Sequence, residues 1–265
     1  MQRVFDKLNA YRVFFSINTA MTVIAACMVL GVSVHVLPIV IAVAALQYTY
    51  ALDSLLDPPT QATKGADSRT ALKGLVGISA VTLVACAFVA PALAGVLALT
   101  ACFLSAYNVG APRAWIKRVP YLKAPYVAFF FAFFTVAIPS LQAGIASSTS
   151  ALVVFGYFAL ATTAKSIAYD MADVESDRRN GYPTVPVRHG PQMSAAVVHG
   201  LLVASIVVAM MAGHPALAVH ALYTCLVLVA FALNRRLGVS LNLASGVVLV
   251  LLVTWLETAP VQLAA

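Results

Sequence analysis

The chain has 265 residues, of which 62% are hydrophobic and 9% are charged, and its formal net charge is +7. A soluble domain carries about 25% charged residues to solvate its surface, and a disordered chain lacks apolar content, so this composition excludes both classes. The positive charge does not indicate a nucleic-acid binder, because the chain has no polar domain that could carry a basic binding face. We therefore expect an integral membrane protein that contacts membrane lipids and no nucleic acid.

Apolar runs follow one another along the whole chain, and each is close to the ~20 residues that a helix needs to cross a bilayer. The runs are continuous rather than alternating, which argues against a membrane β-barrel. The predicted fold class is all-α: a polytopic membrane protein with nine transmembrane helices in a single domain over residues 1–265. The predicted spans are Phe14–Val32, Val36–Leu52, Thr70–Val89, Ala92–Tyr107, Ala124–Ala143, Leu152–Tyr169, Met193–Ala212, Pro215–Leu233 and Val239–Leu256.

The basic residues lie on one side of this arrangement. All 16 lysines and arginines are found at the N-terminus or in and beside the connections that follow the even-numbered spans. Because cytoplasmic loops are enriched in Lys and Arg, we expect this side to be cytoplasmic, with the N-terminus inside and the C-terminus outside. Two of these regions, 53–70 and 170–192, are expected to cap the bundle. In a bacterium the membrane would be the cell inner membrane.

The acidic residues concentrate in the same two regions. Asp53 and Asp57 follow the second span with a spacing of four, and Asp170, Asp173 and Asp177 follow the sixth with spacings of three and four. Such spacings place like charges on one helix face, where they repel each other unless a cation compensates them. Mg²⁺ is typically held by one or two carboxylates together with substrate phosphates. The two clusters therefore predict a site for Mg²⁺ and a diphosphate between them.

A few polar residues lie inside the predicted spans. Lys165 lies one turn inside the sixth span, five residues before Asp170, where an unpaired cation is costly. It either extends to the membrane interface or faces the acidic site, and we expect it to face the site. Asn18 and Asn242 are expected to face protein rather than lipid. His220 is expected to lie toward the outer side in a structural role.

The second acidic cluster belongs to a longer pattern. Asp170, Asp173 and Asp177 form D-x-x-D-x-x-x-D, Gly181 follows, and Thr184–Gly190 reads T-x-P-V-x-x-G. In these motifs, and in having nine spans with acidic motifs after the second and the sixth, the chain resembles the UbiA superfamily of intramembrane prenyltransferases.

The first acidic cluster is similar to the family's N-x-x-x-D-x-x-x-D motif but departs from it. Thr49 takes the place of Asn, Tyr50 stands where the family often has Asp, and Arg69-Thr70 replaces the Arg-Pro that follows the motif. A threonine hydroxyl still offers an oxygen atom. The resemblance therefore implies diphosphate handling with a weaker set of Mg²⁺ ligands.

The resemblance implies an Mg²⁺-dependent enzyme with a lipid-accessible cavity and an active site on the cytoplasmic face. The expected metal ligands are the carboxylates of both clusters and one hydroxyl: Asp53, Asp57, Asp173, Asp177 and Thr49. The expected catalytic residues are Asp170, which removes a proton, Tyr107, which lines the cavity, and Lys117, which contacts the diphosphate. The residues expected to bind substrate are Tyr50, Arg69, Asn108, Lys117, Arg118 and Lys165.

The implied reaction transfers a prenyl group from a polyprenyl diphosphate to an aromatic or lipid-like acceptor within the membrane. Mg²⁺ and cationic side chains would neutralise the charge that develops on the leaving diphosphate. One alternative is a membrane terpene cyclase of the same family, in which an alkene of the substrate itself captures the cation. A cation-coupled transporter is a weaker alternative, because transporters usually place their sites near the midplane on broken helices.

Overall fold

The computed structural model describes residues 13–56, 66–108, 115–233 and 235–256. Every regular element in these ranges is a helix, which confirms the all-α prediction for this part of the chain. In chain order the elements are α1 (Val13–Val29), α2 (Val36–Leu56), α3 (Ala66–Val89), α4 (Pro91–Asn108), α5 (Trp115–Arg118), α6 (Lys123–Ala132), a π-helix (Phe133–Ala137), α7 (Ile138–Gln142), α8 (Thr149–Ala172), α9 (Val174–Asn180), α10 (Val185–Met211), α11 (Pro215–Leu233) and α12 (Arg235–Leu256).

Two irregularities next to prolines interrupt the long helices. Ahead of Pro139, α6 continues into the π-helix Phe133–Ala137. In a regular α-helix the proline ring would clash with the backbone carbonyl one turn earlier, and the wider π-helix accommodates the ring. In α10, Gly190 has φ 77° and ψ 177° immediately before Pro191, so two helical segments meet there at a kink. Glycine adopts this positive φ without the strain that a Cβ would cause.

The helices close into a ring. α1 and α2 contact each other and the π-helix, α6 contacts α8, and α8, α10, α11 and α12 follow in order, with α12 returning to α1. α3 and α4 pack against α2. Gly246 permits the contact between α12 and α1, because a Cβ at this position would lie 2.6 Å from the Asn18 carbonyl oxygen. Its backbone N–H donates to Asn18 Oδ1 at 2.7 Å, a close approach typical of small residues between membrane helices.

Within the described residues, 5 helical stretches are long and apolar enough to cross a membrane: Val36–Leu56, Arg69–Val89, Lys123–Gln142, Thr149–Ala172 and Val185–Met211. Shorter apolar helices lie at the remaining predicted spans, at Phe15–Val29, Pro91–Cys102, Pro215–Ala230 and Ala244–Leu256. Large apolar side chains such as Phe88 and Met211 are exposed on the outside of the bundle, as contact with lipid requires. These features agree with an integral membrane protein, and nine complete crossings stay a prediction.

Candidate active site

The second acidic motif lies where α8 ends and α9 begins. α8 ends at Ala172, and Asp173 adopts a non-helical conformation (φ −108°, ψ 12°) before α9 starts at Val174. Asp170 and Asp177 are buried, 6% and 4% exposed, whereas Asp173 is exposed. The expectation that the three aspartates share one continuous helix face is therefore wrong, because the helix does not continue through the motif.

Lys123, the first residue of α6, joins the two buried carboxylates. Its Nζ lies 2.8 Å from Asp170 Oδ1 and 3.1 Å from both carboxylate oxygens of Asp177. Two buried carboxylates repel each other and lose hydration, and a shared ammonium group offsets that cost. The sequence interpretation did not place Lys123 in the site. One signal points to it: a cation at a helix N-terminus opposes the helix dipole, which indicates an acidic partner elsewhere.

The first acidic motif, at the C-terminal end of α2, pairs with a second lysine. Lys117, in the short helix α5, forms an ion pair with Asp53 and is only 3% exposed. Its Nζ also lies 4.9 Å from the centroid of the Tyr107 ring. The Tyr107 ring in turn stacks on Tyr126, with 5.6 Å between the ring centroids. The structure thus brings together three of the residues predicted for the site, Asp53, Lys117 and Tyr107.

Tyr182 connects the two groups of lysine and aspartate. Gly181 caps the C-terminal end of α9 in the left-handed conformation, and the Tyr182 backbone N–H donates to the Asp177 carbonyl oxygen at 2.9 Å. The Tyr182 ring centroid lies 5.6 Å from Lys117 Nζ and 5.9 Å from Lys123 Nζ, within the range in which the face of an aromatic ring attracts a cation. Sequence reasoning missed Tyr182. The signal that could have found it is its place directly after the glycine that ends the acidic helix.

The predicted arginines lie around the first motif. Arg69 donates from Nη2 to the Leu55 carbonyl oxygen at 3.2 Å, near the end of α2. Arg118 follows Lys117 in α5, and its side chain is exposed. Asp57 lies outside the described residues, and so does the side chain of Asn108. The structure therefore supports a position beside the site for Arg69 and leaves Asp57 and Asn108 as predictions.

The altered residues of the first motif, Thr49 and Tyr50, both line a narrow cleft beside Tyr107. The Thr49 hydroxyl donates to the Ala45 carbonyl oxygen in its own helix at 2.9 Å. The Tyr50 ring meets Phe15 edge to face, with 4.6 Å between the centroids. Tyr50 therefore lies at a cleft beside the first motif, and its expected contact with substrate stays a prediction.

Lys165 lies apart from the carboxylates. Its Nζ donates to Ser245 Oγ on α12 at 3.2 Å. It lines a cavity of the bundle whose lining contains none of the described aspartates. The expectation that Lys165 faces the acidic motif is wrong for the described residues, because Lys123 pairs with Asp170 and Lys165 points to α12 instead.

The carboxylates of the site fit Mg²⁺ by their chemistry, since this ion takes carboxylate and phosphate oxygens. In the part of the chain that the structure describes, no three His, Cys, Asp or Glu side chains form a group that could hold a metal ion by themselves. Three of the carboxylates pair with lysines instead: the half-buried Asp53 with Lys117, and the buried Asp170 and Asp177 with Lys123. A bound metal would therefore need ligands from the substrate as well as from these aspartates.

The chain belongs to the UbiA prenyltransferase family, whose sequence model matches residues 59–242. It is an integral membrane protein of that family, as the apolar helices indicate. No curated protein matches the sequence. The fold is similar to the apo structure of a UbiA homologue from Aeropyrum pernix K1, with a TM-score of 0.65 and 17% identity over 92% of this chain and 98% of that chain. It is also similar to a structure of digeranylgeranylglyceryl phosphate synthase, with a TM-score of 0.56 and 13% identity over 96% of this chain and 98% of that one.

Proposed function

We propose that the protein transfers the prenyl group of a polyprenyl diphosphate to an aromatic or lipid-like acceptor inside the membrane, with Mg²⁺ as cofactor. One observation carries this proposal: both acidic motifs, the lysines Lys117 and Lys123, and Tyr182 meet at one end of an apolar bundle. The proposal treats residues 1–265 as one domain. It places the active site on the cytoplasmic side, capped by residues 53–70 and 170–192.

The diphosphate is proposed to bind between the two acidic motifs. Mg²⁺, when bound, supplies positive charge for the diphosphate as it leaves. The residues assigned to hold this ion are Asp53, Asp57, Asp173, Asp177 and the Thr49 hydroxyl. Lys117 and Lys123 donate hydrogen bonds to phosphate oxygens, which are strong because both partners are charged. Arg69, Arg118 and Asn108 are assigned to the edge of the same site.

The aromatic rings are proposed to stabilise the prenyl cation. When the C–O bond breaks, the electron pair leaves with the diphosphate and an allylic cation remains. Tyr107 and Tyr182 already face lysine ammonium groups, and the same ring faces attract an organic cation. Tyr107 is buried, and the exclusion of water at its ring would keep water from capturing the cation. The acceptor forms the new bond and releases a proton, for which Asp170 is the assigned base.

The proposal is tested by diphosphate release from geranyl, farnesyl and geranylgeranyl diphosphate, measured with the purified protein in lipid nanodiscs. We expect release that requires Mg²⁺ and stops in excess chelator. Asp177→Asn should lower the rate at least about 100-fold, because an electrostatic contact to the transition state is lost. The control is Glu175→Gln in the same helix, since Glu175 is exposed and pairs with Arg178. Unchanged release by Asp177→Asn, or in chelator, would contradict the proposal.

Product analysis in the same assay separates transfer from cyclisation. Both reactions begin with the same ionisation of the prenyl diphosphate, so diphosphate release alone does not distinguish them. A transferase needs an added acceptor to give a prenylated product. A cyclic hydrocarbon or cyclic alcohol formed from the prenyl diphosphate alone would identify a terpene cyclase, and the acceptor part of the proposal would then be withdrawn.

A further inference from the structure

A cavity of about 390 Å³ lies between α8, α10 and α11. We call it the outer pocket and define it by six of its lining residues: Ala168, Met171, Ala195, Val198, His199 and Cys225. It shares no described lining residue with the cavity that contains Lys165. His199 and Val229, which both line it, are exposed, so the outer pocket is accessible from the outside of the bundle.

His199 provides the hydrogen-bonding group of the outer pocket. Among the described residues that line the pocket, none is an Asp, Glu, Lys or Arg, and apart from His199 the side chains are apolar or, at Cys225, a weakly polar thiol. His199 forms no hydrogen bond or ion pair with any residue that the structure describes. An apolar cavity of this size with a single polar group is typical of a site for a small, mostly apolar ligand.

The depth of His199 in the membrane makes its lack of a partner informative. Residues 191–211 of α10 follow the kink and extend over about 30 Å, which matches the hydrocarbon thickness of a bilayer. His199 is eight residues beyond Pro191, about 12 Å along the helix. An ionisable side chain within a membrane span normally faces the bundle interior and pairs with another polar group. His199 is exposed instead, and it therefore points to a ligand that supplies the partner.

The chemistry of the outer pocket selects the ligand. A neutral imidazole has one N–H donor and one nitrogen acceptor, and a hydroxyl group both donates and accepts. A charged head group is disfavoured, because the lining has no charged side chain to compensate it and a charge is costly within the membrane. The volume of about 390 Å³ equals about 13 water molecules at ~30 Å³ each, the size of an alcohol with about twelve carbon atoms.

We infer that the outer pocket binds an uncharged lipid alcohol. The hydroxyl group forms hydrogen bonds with His199, and the apolar chain fills the space between α8, α10 and α11. Met171, which lines the pocket, lies between Asp170 and Asp173, so the bound alcohol contacts the stretch of chain that carries the second acidic motif. The site needs neither Mg²⁺ nor a prenyl diphosphate, and the inference is therefore independent of the proposed prenyl transfer.

The experiment is photochemical labelling of the full chain in lipid nanodiscs with dodecanol that carries a diazirine in its chain. Labelled positions are identified by mass spectrometry. We expect labelling at Cys225 and Leu228, which line the outer pocket, and we expect an excess of unlabelled dodecanol to suppress it. Val203 is exposed on α10 and is not among the lining residues, so it reports contact with bulk lipid, and dodecanol should not suppress labelling there. Dodecyl methyl ether, which has no O–H, should compete less well than dodecanol.

Variants of two lining residues test the hydrogen bond and the space separately. His199→Leu should weaken dodecanol binding about threefold to tenfold, as expected for the loss of one hydrogen bond, and His199→Gln should retain most of it because an amide also donates and accepts. Ala195→Phe fills the pocket and should remove the suppressible labelling. Val203→Phe is the control of the same size on the same helix.

Three results would each overturn the lipid-alcohol site. They are labelling at Cys225 that dodecanol does not suppress, equal competition by dodecanol and its methyl ether, and equal dodecanol binding by wild type and His199→Leu. The first two are measured on the wild-type chain, so they decide the question even where a variant fails to fold. None of these measurements uses a prenyl diphosphate, so their outcome is distinct from that of the diphosphate-release assay.

Discussion

Lysine side chains pair with carboxylates of both acidic motifs. Lys117 pairs with Asp53, and Lys123 pairs with Asp170 and Asp177. Removing one partner of a buried ion pair leaves an uncompensated charge and is strongly destabilising. The aspartates therefore give up these lysines only when a ligand brings compensating charge. A metal ion would compensate the aspartates, and the diphosphate that it accompanies would compensate the lysines.

The ring of Tyr182 gives a prediction at the same scale. Its face lies near the ammonium groups of both Lys117 and Lys123. Tyr182→Leu removes this face and should lower diphosphate release about fivefold to thirtyfold, the effect of losing about 1–2 kcal/mol of cation–π attraction. Tyr182→Phe keeps the ring and should retain nearly the full rate. The rates of the two variants in the prenyl diphosphate assay check this.

Wild-type rates for both Tyr182→Leu and Tyr182→Phe would show that Tyr182 has no part in the reaction. A matched loss in both variants would instead assign the effect to the hydroxyl. Tyr121 supplies a control, because it is an exposed tyrosine whose ring stacks on His189. Tyr121→Phe should leave diphosphate release unchanged.

At the scale of the element, helix breaks decide which side chains reach the site. The interruption at Asp173 separates α8 from α9, so Asp170 and Asp177 are buried and Asp173 is not. Gly181 ends α9 in the left-handed conformation and starts the turn that carries Tyr182. The spacing of the aspartates predicted that all three share one helix face. The break removes this shared face, because the helical period holds only while the helix continues.

The contact between α1 and α12 depends on a single glycine. A Cβ at Gly246 would lie 2.6 Å from the Asn18 carbonyl oxygen and 2.9 Å from Met21 Cβ. Gly246→Ala should therefore destabilise the protein by about 1–3 kcal/mol, the usual cost of overpacking. Gly200→Ala is the control, since a Cβ at Gly200 meets nothing within 4 Å. Thermal unfolding in nanodiscs measures both, and a Gly246→Ala midpoint equal to that of wild type would contradict the close packing.

At the scale of the whole molecule, the ring of helices encloses a cavity and places both acidic motifs at one end. Helices far apart in sequence become neighbours in this ring, since α12 contacts α1 and the π-helix contacts both α1 and α2. Polar groups such as Asn18 and Asn242 line the enclosed pocket rather than the lipid-facing surface. This agrees with the prediction that they face protein.

The membrane topology gives a prediction for the whole chain. The proposed orientation places Ser147, between α7 and α8, outside the cell and Ser176, in α9, inside. Both side chains are exposed, so a cysteine at either position should react with a membrane-impermeant thiol reagent. In intact cells we expect Ser147→Cys to be labelled and Ser176→Cys to be labelled only after lysis. The wild-type chain controls for its own cysteines, and labelling of both variants in intact cells would contradict the orientation.

The amino-acid sequence by itself determined that this protein is a helical membrane protein of the UbiA family with carboxylates after the second and sixth apolar runs. Hydropathy, charge and motif spacing are local properties, so they can be read along the chain. Only the tertiary structure decided which cation meets which carboxylate. Lys123 and Asp177 are 54 residues apart, and Tyr157 and His220 are 63 residues apart. Their contacts depend on the order in which helices close the ring, and no local pattern encodes that order.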